Sequence, residues 1–553
     1  MIFNTAPNPL DREYYSGPAP GTEKSIEEPI LGVGDLGSTT FESPGQQDLI
    51  QGLKAEIRKG VGKIELATGM GGPTSPVGAE SYGEEARQAF REMRDAAGIQ
   101  LTSVHVPTQV NGLSGYNPQQ GGFSDEARKM GSDEISKAVR FAAETTGGGA
   151  VVVHTSEFDR PVSEQPWARE LVDEENGKPK YKYKFMSSME EPQRAIFGVV
   201  DKKSGKVQRI AQKNMTIERP VWERASYDYE VEDPKTHKTY QVKEGQFIDL
   251  DGLPAPELKD RVPKLRDDGS GEFATQTLTW HDIEKEAQEL GKDPALHFYE
   301  THMEKQVAQR KGQALYYSQG YERNVREREK IKKALQFYEE LESSMPEEER
   351  WKLQQSRRPF SELVPPGTAY PTELLKEQLE QVDRQLRWSH EAAAMAEAEA
   401  KQMDQEIKNY TSLKDYALEQ TERTLGQAAV EAYEQTKNNK HSERPTFISV
   451  ENWDPNMFGA HPDEMLEIIR RGRNKMVEYL TNPEIENIDG SKIVNPHYMQ
   501  GVSKEQAEEL AKQHIKMTFD TEHLALWRKK FQPEQGDSRE ETNRKFHDWY
   551  LEQ

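Results

Sequence analysis

The chain has 553 residues, 73 Lys and Arg against 96 Asp and Glu, a net charge of -23, 34% hydrophobic residues and no cysteine. That length predicts two or three structural units, and the lack of cysteine excludes a disulfide framework, thiolate-held zinc and a thiol nucleophile, so any metal has to be held by His, Asp and Glu. The opening MIFNTAPNPLDREYY has neither a basic n-region nor an apolar h-region and no apolar run is long enough to span a bilayer, which predicts a soluble, cytoplasmic protein without a membrane partner. Its acidity argues against a general nucleic-acid coat and leaves room for a local basic patch.

After an N-terminal extension (1–28), residues 29–158 alternate short β-branched runs with amphipathic stretches. Strands are predicted at Pro29 to Leu36, Lys63 to Ala67, Leu101 to Pro107 and Ala150 to His154, each ending in Gly, Pro or a polar residue. Helices of crossover length are predicted at Asp48 to Lys59, Gly83 to Ala97 and Ser132 to Thr145, the last with Ser132 as its cap. This is a repeated βα pattern.

The middle breaks that rhythm. Residues 159–277 carry alternating segments such as KYKYKF, AIFGVV, YDYEV and TYQV between the turn-like KKSGK and EDPKTHK, which predicts a small antiparallel β unit. Residues 278–440 are polar, charged and helical, and SRRPFSELVPPGTAYP divides them into two arms. In the second arm Leu375, Leu379, Val382, Leu386, Ala393, Ala396, Ala400, Met403, Ile407 and Tyr410 keep four-three spacing, which predicts a helical hairpin.

From 441 to 553 the βα rhythm returns. Pro445 to Val450 and Ile515 to Phe519 read as strands, with DEMLEIIRRGRNKMVEYL as a helix between them and a Trp- and Phe-containing amphipathic tail at the end. Six βα units in all predict an α/β fold of the TIM-barrel type, two units short of closure and interrupted by the large insertion.

Reactive groups of βα barrels sit at the C-terminal ends of strands. Here His105 ends the third run, His154 the fourth, Glu451 follows the fifth and Asp520 the sixth, with His523 three residues later. One strand-end histidine is ordinarily a hydrogen-bonded structural residue, and one carboxylate ordinarily caps a helix. Four metal-capable side chains on consecutive strands, in a chain with 13 His, favour a metal site. Imidazole and carboxylate donors suit zinc, manganese, iron or magnesium.

The segments SVHVPTQVNGLSG, AVVVHTSEF, ISVENWDP and MTFDTEHL, in that order, resemble the xylose-isomerase-like TIM barrels, and within them the endonuclease IV family of zinc-dependent abasic-site endonucleases. The resemblance covers about 30–160 and 445–553. It implies that Glu451 is the bridging, catalytic carboxylate, that Asp520 is a carboxylate ligand, and that His105, His154 and His523 complete a zinc cluster acting on abasic DNA. Isomerases and epimerases of the same superfamily keep the equivalents of Glu451 and Asp520 on a single ion, which implies manganese or magnesium and a small sugar phosphate as the alternative. Glu65, in KIELA, resembles a second-strand Glu of those enzymes that bears on substrate. The family also draws ligands from seventh and eighth strands, so the expectation is a chain that is truncated or completed by another polypeptide.

A third expectation is a barrel that serves as an inactive scaffold, with the hairpin as a self-association or protein-partner arm. No Walker-type phosphate loop, serine nucleophile elbow or HExxH motif occurs; GMGG at 69–72 and Gly147 to Gly149 read as loop connections.

Overall fold

The computed structural model describes residues 36–41, 48–69, 78–175, 178–256, 260–270, 272–354, 359–486 and 490–553. Its centre is a six-stranded parallel sheet of β1 (Gly37–Phe41), β2 (Lys63–Ala67), β3 (Gln100–His105), β4 (Gly149–Thr155), β5 (Thr446–Asn452) and β6 (Ile515–Thr518), paired in chain order. The first predicted strand lies almost wholly outside the described residues, and β1 follows it. A parallel crossover is right-handed. Six strands added in one direction therefore place every crossover helix on one face.

The helices are α1 (Leu49–Lys59), α2 (Glu84–Ala97), α3 (Asp125–Thr145), α4 (Trp280–Leu290), α5 (Pro294–Ser344), α6 (Pro371–Asn409), α7 (Leu413–Asn438), α8 (Pro462–Thr481), α9 (Lys504–His514), α10 (Thr521–Ala525) and α11 (Arg539–Glu552). Ser124, not Ser132, caps α3 by accepting from the Ala127 N–H, so this helix starts two turns earlier than its hydrophobic spacing predicts.

Strand side chains alternate between two environments. Ile64, Leu66, Val104, Val151, Val153, Ile448, Val450 and Ile515 share one core with Leu53 of α1, Phe90 of α2, Ile135 and Val139 of α3, Leu425 of α7, Ile468 of α8 and Ala511 of α9. Burying each large aliphatic side chain contributes about 1.5–3 kcal/mol relative to exposure. The intervening positions, Glu65, Ser103, His105, His154, Ser449, Glu451 and Thr518, point to the opposite face, which is the polar face that carries the candidate site. β1 and β6 each have a single strand neighbour among the described residues, so the sheet is an open array there.

Gly147 to Gly149 join α3 to β4 with φ of 70°, 97° and 108°. A Cβ on Gly148 would lie 2.0 Å from the Arg444 carbonyl oxygen. Only glycine lets the chain pass there, while the Arg444 guanidinium donates to the carbonyls of Leu101, Thr102 and Gly148. These glycines therefore serve backbone approach.

Between β4 and β5 lie the β hairpins Arg169–Glu175 with Lys178–Tyr183 and Tyr229–Glu232 with Thr239–Val242, the pair Ile217–Pro220 with Thr275–Leu278, and the three-stranded Val207–Gln212, Ile196–Asp201 and Tyr410–Ser412. Helices α5 and α6 run antiparallel, as the ion pairs Arg310–Glu399, Arg328–Asp383 and Lys376–Glu339 show, and bury Ile331, Ala334, Tyr338, Leu375, Val382 and Leu386 between them. That pair ends at Asn409. The next helix, α7, returns to the sheet and supplies Leu418, Leu425, Ala428, Ala429 and Ala432 to its core. No helix among the described residues is long and apolar enough to cross a membrane.

Candidate metal centre

Parallel pairing brings the strand ends together. Glu451 is in register with His154 on one side and Thr518 on the other, and His105 lies one strand beyond. Two groups result, His105 with His154 and Glu451, and Glu451 with Asp520 and His523; within each, one donor atom per residue lies within 4.8 Å of the others. Glu451 is common to both. Its Oε2 is 3.4 Å from His105 Nε2 and 3.6 Å from His154 Nε2, whereas its Oε1 is 3.9 Å from His523 Nδ1.

Backbone contacts fix two of the imidazoles. His105 Nδ1 is 2.7 Å from the Val106 carbonyl oxygen and His523 Nδ1 is 2.8 Å from that of Asn452. A carbonyl only accepts, so in the neutral rings Nδ1 carries the proton and Nε2 presents its lone pair. For His105 burial opposes protonation, but the Glu451 carboxylate and the Val106 carbonyl outweigh it and raise the pKa. For His154 burial, reinforced by His105 and His523, pushes the pKa down to about 3. His154 is thus neutral at physiological pH and free to donate its lone pair.

Asp520 caps α10, its Oδ1 accepting from the N–H groups of Glu522 and His523 at 2.6 and 3.0 Å; its Oδ2 stays 3.5 Å from His523 Nδ1. Cap and candidate ligand are compatible roles, one for each oxygen. Glu65 lies in neither group. Its Oε1 accepts from Ser103 Oγ at 2.9 Å and its Oε2 from Thr39 Oγ1 at 3.0 Å, and its charge acts on His105 from the neighbouring strand.

Three residues of this site escape the reading of strand ends. Trp453 stacks on His154 with centroids 4.2 Å apart and planes 27° apart, and meets the edge of His523 at 4.4 Å. Asn452 ties β5 to the chain after β6, donating from Nδ2 to the Asp520 carbonyl and accepting at Oδ1 from the Asp520 N–H. Fully buried Glu157, three residues past His154, accepts from the N–H groups of Leu113 and Ser114 and from the Thr421 hydroxyl, anchoring the loop after β3 to α7. The adjoining ENW was visible in the sequence; what Trp453 touches was not.

The other ten histidines lie outside both donor groups. His461 caps α8 and stacks on Trp167 at 3.9 Å, and His547 lies on α11. The cluster around His461, with Phe185, Trp527, Phe531, Phe546 and Trp549, is a second apolar core in which the chain after β6 packs against the start of the insertion. The basic run IIRRGRNK is used in packing: Arg473 donates to the Ile515 carbonyl, and Arg471 lies among Asp415, Glu422 and Glu467.

No family model, curated protein or solved structure matches the chain. The donor set itself fits a divalent ion. It offers imidazole nitrogens with lone pairs presented and carboxylate oxygens with free valence, supported by carbonyl partners of the kind that orient metal-bound histidines.

Proposed function

We propose that the parallel sheet is an arc of a xylose-isomerase-like TIM barrel and that His105, His154, Glu451, Asp520 and His523 hold two divalent ions, zinc first among them, for hydrolysis of a phosphodiester at abasic sites in DNA. The observation that carries this reading is the placement of Glu451, which is common to both donor groups and turns Oε2 toward His105 and His154 and Oε1 toward the His523 ring. A carboxylate so placed can bridge.

Charge bears on the number of ions. The charges acting on His105 and His154 come from Glu65, Glu451, Asp520 and neighbouring imidazoles. The donor set itself holds two carboxylates, Glu451 and Asp520, so with neutral imidazoles one divalent ion would only neutralise it, whereas two would make it a net cation, which attracts a phosphodiester. Bound divalent ions would supply an acidified water and neutralisation of the phosphoryl oxygens. Glu451 would lie between the two ions, backbone carbonyls anchor the rings of His105 and His523 through Nδ1, and half-buried Trp453 walls the space above His154.

A second reading rests on the group Glu451, Asp520 and His523, complete without the other histidines. It would hold a single manganese or magnesium ion in a sugar phosphate isomerase or epimerase, with Glu65 on the neighbouring face bearing on substrate. Mass-spectrometric metal counting on the extensively dialysed chain, beside nicking of an abasic duplex and proton exchange on small sugar phosphates, separates the two. Two ions with nicking support the nuclease; one ion with exchange supports the isomerase; no retained ion and neither activity sinks both.

A further inference from the structure

The helical pair presents two surfaces of opposite character. Near its root a groove of about 550 Å³ runs between the β unit and α5, walled by Pro220, Trp222, Pro263 and Leu315. Leu315 is 66% exposed and its neighbour Tyr316 74%. The rim carries Arg261, Lys305 and Lys311. Arg261 directs Nε and Nη2 to the carbonyls of Ala255 and Pro256, and none of the three forms an ion pair among the described residues. Arg219, also at the rim, is already paired with Glu286 at 2.7 Å, while the lining carboxylate Glu218 accepts from the Thr277 hydroxyl. Glu304 acts on Arg261 through its field. In a chain of net charge -23, this groove is locally cationic and apolar.

The tip has the complementary make-up. The 3-10 segment Glu347–Gln354 reads EEERWKLQ, with Glu347, Glu348 and Glu349 exposed and Trp351 53% exposed. Lys352 pairs with Glu349, which leaves Glu347 and Glu348 facing solvent. The tip cannot reach the groove of its own chain. Both lie on or beside one continuous helix, and at 1.5 Å per residue the rise from Lys311 to Ser344 is about 50 Å. A second copy lying antiparallel can reach it, and antiparallel arms make two identical tip-to-groove contacts about a twofold axis.

We propose that the chain forms a twofold dimer through these arms, with Trp351 of each copy seated between Trp222 and Leu315 of the other and Glu347 and Glu348 against Arg261, Lys305 and Lys311. Tryptophan and arginine are the residues that most often carry interface energy, and opposed charge patches set orientation and register. The second arm would also cover Tyr321 and Trp388, exposed between groove and tip.

The test is sedimentation velocity on the full chain at micromolar concentration. Wild type should sediment as a dimer, and Trp351→Ala should weaken it at least about tenfold. The double substitution Glu347→Lys with Glu348→Lys should give a monomer, as should Lys305→Glu with Lys311→Glu, because each opposes like charges at both contacts. An equimolar mixture of the two variants should dimerise, since every tip then meets a groove of opposite sign. All these positions are on the surface, and circular dichroism at the wild-type value confirms folding. A monomeric wild type, variants that remain dimeric, or a mixture that stays monomeric would each overturn the proposal.

Discussion

At the residue scale the site depends on which atoms are already engaged. If Glu451 bridges, Glu451→Gln should lower the bound-ion count and abolish nicking while leaving urea unfolding close to wild type; undiminished nicking by that variant would remove Glu451 from the mechanism. Trp453 holds the rings of His154 and His523, which belong to different donor groups, so Trp453→Ala should loosen metal binding about tenfold in a chelator competition and Trp453→Phe should restore most of it. His461 behaves differently. Burial, followed by the charges of Arg160 and Lys184, pushes its pKa from 6.5 down to about 3, so the unfolded chain takes up the proton first. Its contribution to stability is therefore complete above pH 6.5 and is lost as pH falls toward 3, at about 1.4 kcal/mol per pH unit. In chelator-treated protein, His461→Phe should lose less stability than wild type between about pH 7 and 5 in urea titrations. Equal losses would show that this histidine is not buried neutral. The sequence made His105, His154, Glu451, Asp520 and His523 legible because a polar residue ending a β-branched run has few structural reasons to be there. The packing of Trp453, Asn452 and Glu157 was not legible, since their partners come from strands and helices remote in the chain.

At the element scale, close backbone approach explains why some positions tolerate so little. Gly472 of α8 faces α7 with its missing Cβ only 2.4 Å from Leu425 Cδ2. Gly472→Ala should force the two helices apart or Leu425 off its rotamer and cost about 1–3 kcal/mol in urea unfolding. A change within experimental error would show that this crossing is loosely packed. Strands β2 to β6 were legible from periodicity and from their bounding turn residues, and the insertion's KYKYKF, AIFGVV and TYQV are strands because alternation survives an irregular context. The extent of the helical arms was harder to read. The sequence from 413 to 438 is as charged and as helical as the hairpin before it, and the only sign that it belongs to the sheet is a run of small residues, Ala428, Ala429 and Ala432, that fit against it. A hairpin read through to 440 therefore takes in α7, a helix that the main core requires.

At the scale of the whole molecule, that difference predicts how the chain divides. Removing 303–406 and joining the stubs with a short turn should leave the sheet folded, because Tyr299 and Tyr410 already face each other at 4.5 Å and the arms carry their own core. Removing 278–440 should unfold it by stripping α7 from the main core. Circular dichroism melts of the two deletions distinguish these outcomes, and a cooperative transition in the larger deletion would contradict the role given to α7. The insertion also has a kinetic meaning. Thr155 donates its hydroxyl to the Glu451 carbonyl across 296 residues of chain, so the central seam of the site closes the longest loop in the sheet. Long closures form slowly because their entropy has to be offset before any contact forms. Helices α5 and α6 have a core of their own, so a pair that forms first would draw its ends together and shorten that closure before β5 meets β4. The arms then act as an assembly jig: they set the pace at which the two halves of the donor set find each other, and amides of β5 should gain exchange protection only after those of the arms.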